Sequence, residues 1–252
     1  GDVYKRQPLF PTPMNPPAPD KRSPKMSLLK TFNLNATKTL IAVSIIVALL
    51  WSMPYFLPAD PTTISANPAG WGILAVFIWG LYCAFTATEY RALRGLGMQP
   101  QQWLMSMHAT LWLAAFVFGA IAWLTFYAAL RAGVDMYSSW VISPGSSGLR
   151  PLFARVATLG SFICGHLLTG YIGALIGSVV SSANQSSLLA RILFIIGIIV
   201  SLALANGLLI TLIEAFGEMR IGAPWPGLFF FTGLSIIICS AGIHFIARRI
   251  QP

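Results

Sequence analysis

The chain has 252 residues, 56% of them hydrophobic and 9% charged, with a mean hydropathy of +0.72. So few charges do not keep a domain of this length in water, which excludes an ordinary soluble enzyme. Sixteen Lys and Arg stand against seven Asp and Glu, a net +9, but the cations flank apolar blocks instead of forming one stripe, which excludes a nucleic-acid partner as well.

Chain order begins with a segment to set aside. The run DVYKRQ at residues 2–7 resembles the translated end of a transposon used in preparing DNA libraries, and is excluded as a scar. Seven prolines follow between Pro8 and Lys25 with no apolar period, so residues 1–25 are expected to be disordered or untranslated, with Met26, or else Met14, as the start. From Met26 to Lys38, Leu28, Leu29 and Phe32 fall on one side with Lys25 and Lys30 near the other, the pattern of a helix lying in the headgroup layer.

A hydrocarbon core about 30 Å thick takes roughly 20 helical residues. Six apolar blocks meet that length, at about 39–57, 71–88, 104–130, 153–180, 192–213 and 226–247. The fold class is therefore an all-α polytopic membrane domain over 26–252. The first block is too long for a signal peptide and ends in Pro54 and Pro58, so it is expected to stay as a span. Cations fix the orientation, because cytoplasmic loops hold the Lys and Arg excess. With both termini inside, the inner segments carry Lys21, Arg22, Lys25, Lys30, Lys38, Arg91, Arg94, Arg191, Arg248 and Arg249; the outer ones carry Arg131, Arg150, Arg155 and Arg220. Between the second and third blocks, TEYRALRGLGMQPQQW holds Glu89, Arg91 and Arg94 within one to two helical turns and predicts a short interfacial helix, stopped near Gly95, Gly97 and Pro100.

In the fourth block, Ser161, Gly165, Thr169, Gly173, Gly177 and Ser181 form an unbroken i, i+4 row of small residues, a surface on which another helix can pack closely. Whether that helix belongs to this chain or to a second copy is left open by the sequence. Polar residues within the blocks are few: His108, His166, Asn206 and His244, with no Asp or Glu at a helix centre, which argues against a proton-coupled carrier. His166 and Asn206 lie near mid-membrane, as structural hydrogen-bonding partners or as lining of a pathway. His108 and His244 lie near the inner ends of their blocks and take no chemistry. Cys83, Cys164 and Cys239 each sit alone in an apolar block and read as packing residues.

Glu214 and Glu218, in EAFGEMRIGAPWPG, read either as part of a re-entrant elbow or as a solvated loop; as a pair they make a weak metal site. GSSG at 145–148 matches the GxSG string of rhomboid intramembrane proteases, with Ser147 as nucleophile and His244 as base. The two stand roughly 27 Å apart in depth at 1.5 Å per residue, whereas a base must lie within about 3 Å, so the string reads as a turn. No GxxxxGK[ST] loop occurs, so P-loop ATP hydrolysis would need a partner.

The lead-in, the six blocks, EYRALRGLGMQPQQW after the second of them and GALIGSVVSSANQSSLLAR at the end of the fourth together resemble the permease subunit of type-2 ABC exporters, the ABC-2 membrane family. The resemblance is one of layout over 26–252. It implies a homodimer or heterodimer of six-helix halves in a prokaryotic cell membrane, each half docked on an ATP-binding cassette subunit, with no cofactor of its own. By position it makes Glu89, Arg91 and Arg94 the contacts with that subunit, and the absence of a charged pocket leaves an apolar or amphipathic cargo. The competing expectation is a non-transporting membrane assembly or accessory protein.

Overall fold

The computed structural model describes residues 32–33, 37–56, 68–131, 151–182, 196 and 224–250. Among the described residues the regular structure is helical, with no strand: α1 (Thr37–Phe56), α2 (Pro68–Thr88), α3 (Tyr90–Gly95), α4 (Pro100–Arg131), α5 (Pro151–Ser182) and α6 (Pro224–Arg249). Four of the six begin on proline, whose fixed φ suits the first helical turn and whose missing N–H would be unbonded there anyway. Four stretches are long and apolar enough to cross a membrane: Trp71–Gly95, Pro100–Ala128, Arg155–Ser182 and Phe229–Arg249. In α1 the apolar stretch is shorter, Lys38–Met53. The expected span at 192–213, apart from residue 196, lies outside the described residues, as do Asn206, Glu214, Glu218 and GSSG with Ser147.

Helix α5 is central. It packs along α2, α4 and α6, and α1 closes the bundle against α2 and α4. Directions follow from matched contacts. Gly173 meets Gly80 and Gly177 meets Ala84, in the same order along both chains, so α2 and α5 are parallel. Gly119 meets Ile163 whereas Gly170 meets Leu111, so α4 and α5 are antiparallel. Gly160 approaches Phe229 and Gly242 approaches Leu175, so α5 and α6 are parallel as well.

Exposure changes character at one level of the bundle. Lys38 and Thr39 are exposed before Ile41; Phe85 is the last exposed apolar side chain of α2, before Arg91; Gln102 precedes Met105, Val179 precedes Ser182, and Phe245 precedes Arg248. Above that level the outward side chains are apolar up to Arg155 near the far end of α5, among them Leu49, Leu113, Phe116, Val117, Leu234, Ile237 and Ile238. An apolar surface of this extent is stable against hydrocarbon and not against water.

The lead-in departs from expectation at Phe32. A helix in the headgroup layer would turn this ring to lipid; instead it is 1% exposed, with its centroid 5.6 Å from that of Trp103. The Phe32 amide donates to Ser106 Oγ (2.7 Å), Asn33 Nδ2 donates to Thr110 Oγ1 (2.9 Å), and the Tyr82 hydroxyl donates to Asn33 Oδ1. A polar side chain buried at the edge of an apolar bundle must be bonded to stay there. Asn33 is bonded to both α2 and α4, and so pins the chain ahead of α1 between them.

Candidate functional site: the α2–α5 seam and the inner helix α3

The i, i+4 row on α5 does not face one neighbour throughout. Each step of four residues advances about 40° around a 3.6-residue helix, so five steps turn the row by about 200°. Its inner half faces α2. A Cβ on Gly173 would lie 2.2 Å from the Gly80 carbonyl oxygen, and one on Gly177 would lie 2.1 Å from that of Ala84 and 2.7 Å from the Ala87 Cβ. Here backbone rests on backbone. Thr169 and Ser181 are buried, and Ser181 Oγ accepts the Arg91 amide N–H at 3.0 Å. The outer half is different: Gly165 has nothing within 4 Å of its Cβ position, and Ser161 donates to Ala157 O in its own helix. The partner of Gly173 and Gly177 is thus within this chain.

Helix α3 is anchored on one side and open on the other. Tyr90 and Leu93, three apart, are buried. The Tyr90 ring packs on Trp103 at 4.3 Å and its hydroxyl donates to Ala247 O at 3.0 Å, which ties α3 to α4 and α6. The Ser181 bond adds α5. The helix stops where Gly97 takes φ +88, a conformation that costs glycine little; Gly97 N–H donates to Arg94 O and Met98 N–H to Leu93 O. Of the three residues that the resemblance points to, Glu89 occupies the N-cap without a side-chain cap bond, Arg91 is exposed, and Arg94 is half-buried with Nη1 donating to Met98 O at 2.9 Å. Arg94 therefore closes the turn after α3 as well as carrying charge. Sequence reasoning passed over Leu96, which is 81% exposed at the tip beside Gly95 and Gly97. The available signal was a leucine between two glycines, outside any apolar block.

His166 is fully buried. Its Nδ1 faces Phe162 O at 2.8 Å, and since a carbonyl only accepts, Nδ1 carries the proton; Nε2 then accepts from Trp51 Nε1 at 3.2 Å. Trp79 Nε1 donates to the His166 carbonyl at 3.1 Å, reaching it over Gly170. Both ring nitrogens are occupied, Trp51 and Phe118 pack against the ring, and Phe162 lies edge-on to Trp51. His108 and His244, expected separately at inner helix ends, come together: their rings stack at 5.3 Å and 22°, and His108 Nδ1 lies 2.8 Å from the Tyr171 hydroxyl. His244 Nδ1 donates to Ser240 O within α6.

Among the described residues no group of three His, Cys, Asp or Glu side chains could hold a metal ion. Comparison with family models, with curated proteins and with solved structures finds no match to this chain.

Proposed function

We propose that this chain is the membrane-embedded permease subunit of an ATP-driven exporter of the ABC-2 kind, with six spans, both termini on the cytoplasmic side and a separate ATP-binding subunit docked on α3. What supports six spans is direction. Helices α5 and α6 run the same way through the bundle, so the chain between Ser182 and Pro224 has to return across the membrane, and 192–213 is its apolar stretch of sufficient length. The inner side is assigned to the level of Arg91, Arg94, Arg248 and Arg249 by the excess of cations there.

The observation that carries the functional reading is the way α3 is held. It is bonded or packed to α4, α5 and α6 through Tyr90 and the Arg91 amide, while the Arg91 side chain and Leu96 are exposed. A force applied to α3 from the cytoplasmic side passes into α5 through Ser181, and from α5 into α2 through glycine contacts with no side chain to absorb it. This is the property required of a lever moved by a nucleotide-dependent partner.

The test is co-purification with an ATP-binding subunit encoded nearby. Arg91→Glu together with Leu96→Asp leaves every buried anchor of α3 in place, and is expected to abolish recovery of the subunit while the membrane fold persists. Recovery at the wild-type level refutes the lever. Complete absence of a nucleotide-binding partner favours the accessory-protein reading.

A further inference from the structure

The inner corner where α3 meets the end of α6 gathers four arginines. Around the Tyr90–Ala247 hydrogen bond stand Arg91 and Arg94 on one side and Arg248 and Arg249 on the other. Glu89 is the one acidic residue among the described residues. The Arg94 Nε is buried without an acceptor, and Arg248 and Arg249 are exposed.

Arg249 shows which kind of anion this corner faces. Its guanidinium carbon lies 3.9 Å from the centroid of Phe245, a ring that is 56% exposed. Phe245 closes the outward apolar stripe of α6 that runs through Phe230, Leu234, Ile237 and Ile238. An arginine held over the last ring of a hydrocarbon-facing stripe keeps its charge at the headgroup level, on the lipid side of the protein and not beneath it. A soluble partner approaching Arg91 and Leu96 would come from below.

We propose that the α3–α6 corner is a binding surface for the phosphate headgroups of anionic phospholipids, with Arg248 and Arg249 as the principal donors. The inference needs only that the protein sits in a membrane and is independent of the exporter reading. Each basic residue at such a surface contributes about a fivefold gain in affinity, so the pair together gives roughly 25-fold.

The experiment is native mass spectrometry of the full-length chain in detergent, titrated with phosphatidylglycerol and with phosphatidylcholine of the same acyl chains. Wild-type protein is expected to favour phosphatidylglycerol, and Arg248→Gln with Arg249→Gln to reduce that preference about 25-fold. Glycerol phosphate in excess should not displace the lipid; displacement would identify a free-anion site and overturn the assignment to lipid. Equal binding of the two lipids, or a preference unchanged in the glutamine pair, overturns it too. So does loss of a co-purifying acidic protein in that pair with the lipid preference intact. If the glutamine pair does not fold, salt decides with the wild-type chain: the preference must shrink between about 0.05 and 0.5 M NaCl, and a flat response refutes the proposal.

Discussion

Substituting Gly177 by alanine adds one methyl group at the tightest point of the α2–α5 seam. The new Cβ would lie 2.1 Å from the Ala84 carbonyl oxygen, whereas ordinary van der Waals contact begins near 3.4 Å, so the helices would have to part by about 1.3 Å. The obstructing atom belongs to backbone and cannot rotate away. Overpacking of this kind costs about 1–3 kcal/mol, and alanine returns up to about 1 kcal/mol through its better helix propensity. The net expectation is a loss of about 0–3 kcal/mol, or a fall of up to about 12 °C in Tm for a chain of this size. Gly165→Ala is the matched control on the same row. Nothing lies within 4 Å of its Cβ position, so only the propensity gain remains, and Tm should hold or rise by about 2–4 °C. Thermal unfolding of both variants in one detergent reads the difference. Equal shifts for the two would mean that α2 and α5 do not touch at Gly177, and the directions argued for the bundle would lose their main support.

Trp51→Phe keeps the aromatic packing but removes the N–H that His166 Nε2 accepts; membrane hydrogen bonds of this type contribute about 0.6–1.7 kcal/mol, so Tm should drop by about 1–7 °C, and no drop would refute the Trp51–His166 bond. Asn33→Ala removes the bonds to Tyr82 and Thr110 together, although Thr110 Oγ1 still donates to Ser106 O, for an expected loss of about 1–3 kcal/mol from the two bonds that Tyr82→Phe should reproduce in part when both are unfolded by heat. Ser146→Cys should react with a membrane-impermeant maleimide from outside the cell, and Ser186→Cys only after the membrane is opened; the reverse pattern overturns the orientation.

Much of the helical layout was legible because a run of apolar residues long enough for a bilayer is a strong, local signal. The block placed at 104–130 is Pro100–Arg131 in the structure, and the one at 153–180 is Pro151–Ser182. The differences lie at helix ends, where Pro100 and Pro151 mark starts that hydropathy alone cannot see. Gly95 and Gly97 likewise signalled the end of α3. Contacts between elements were not legible. Asn33 is one polar residue in a lead-in, and nothing nearby in sequence shows that it joins Tyr82 and Thr110. His108 and His244 looked like two unrelated interfacial side chains, because helical periodicity gives a residue's own face and not the residue opposite. The small-residue row was visible in the sequence, but its drift around α5, which separates Gly165 from Gly177 in environment, emerges only once α2 has a place.

Helix α5 has consequences for how the protein is made. It is the element against which α2, α4 and α6 all lie, yet it is synthesised after α1 to α4. Until residues 151–182 enter the bilayer, Gly80 and Ala84 on α2 have only acyl chains to lie against, and Trp51 has no imidazole to bond. Before that point α1, α2 and α4 can meet through α1 and Asn33 alone. A ribosome halted before α5 would leave that partial cluster without the helix along which α2, α4 and α6 are aligned.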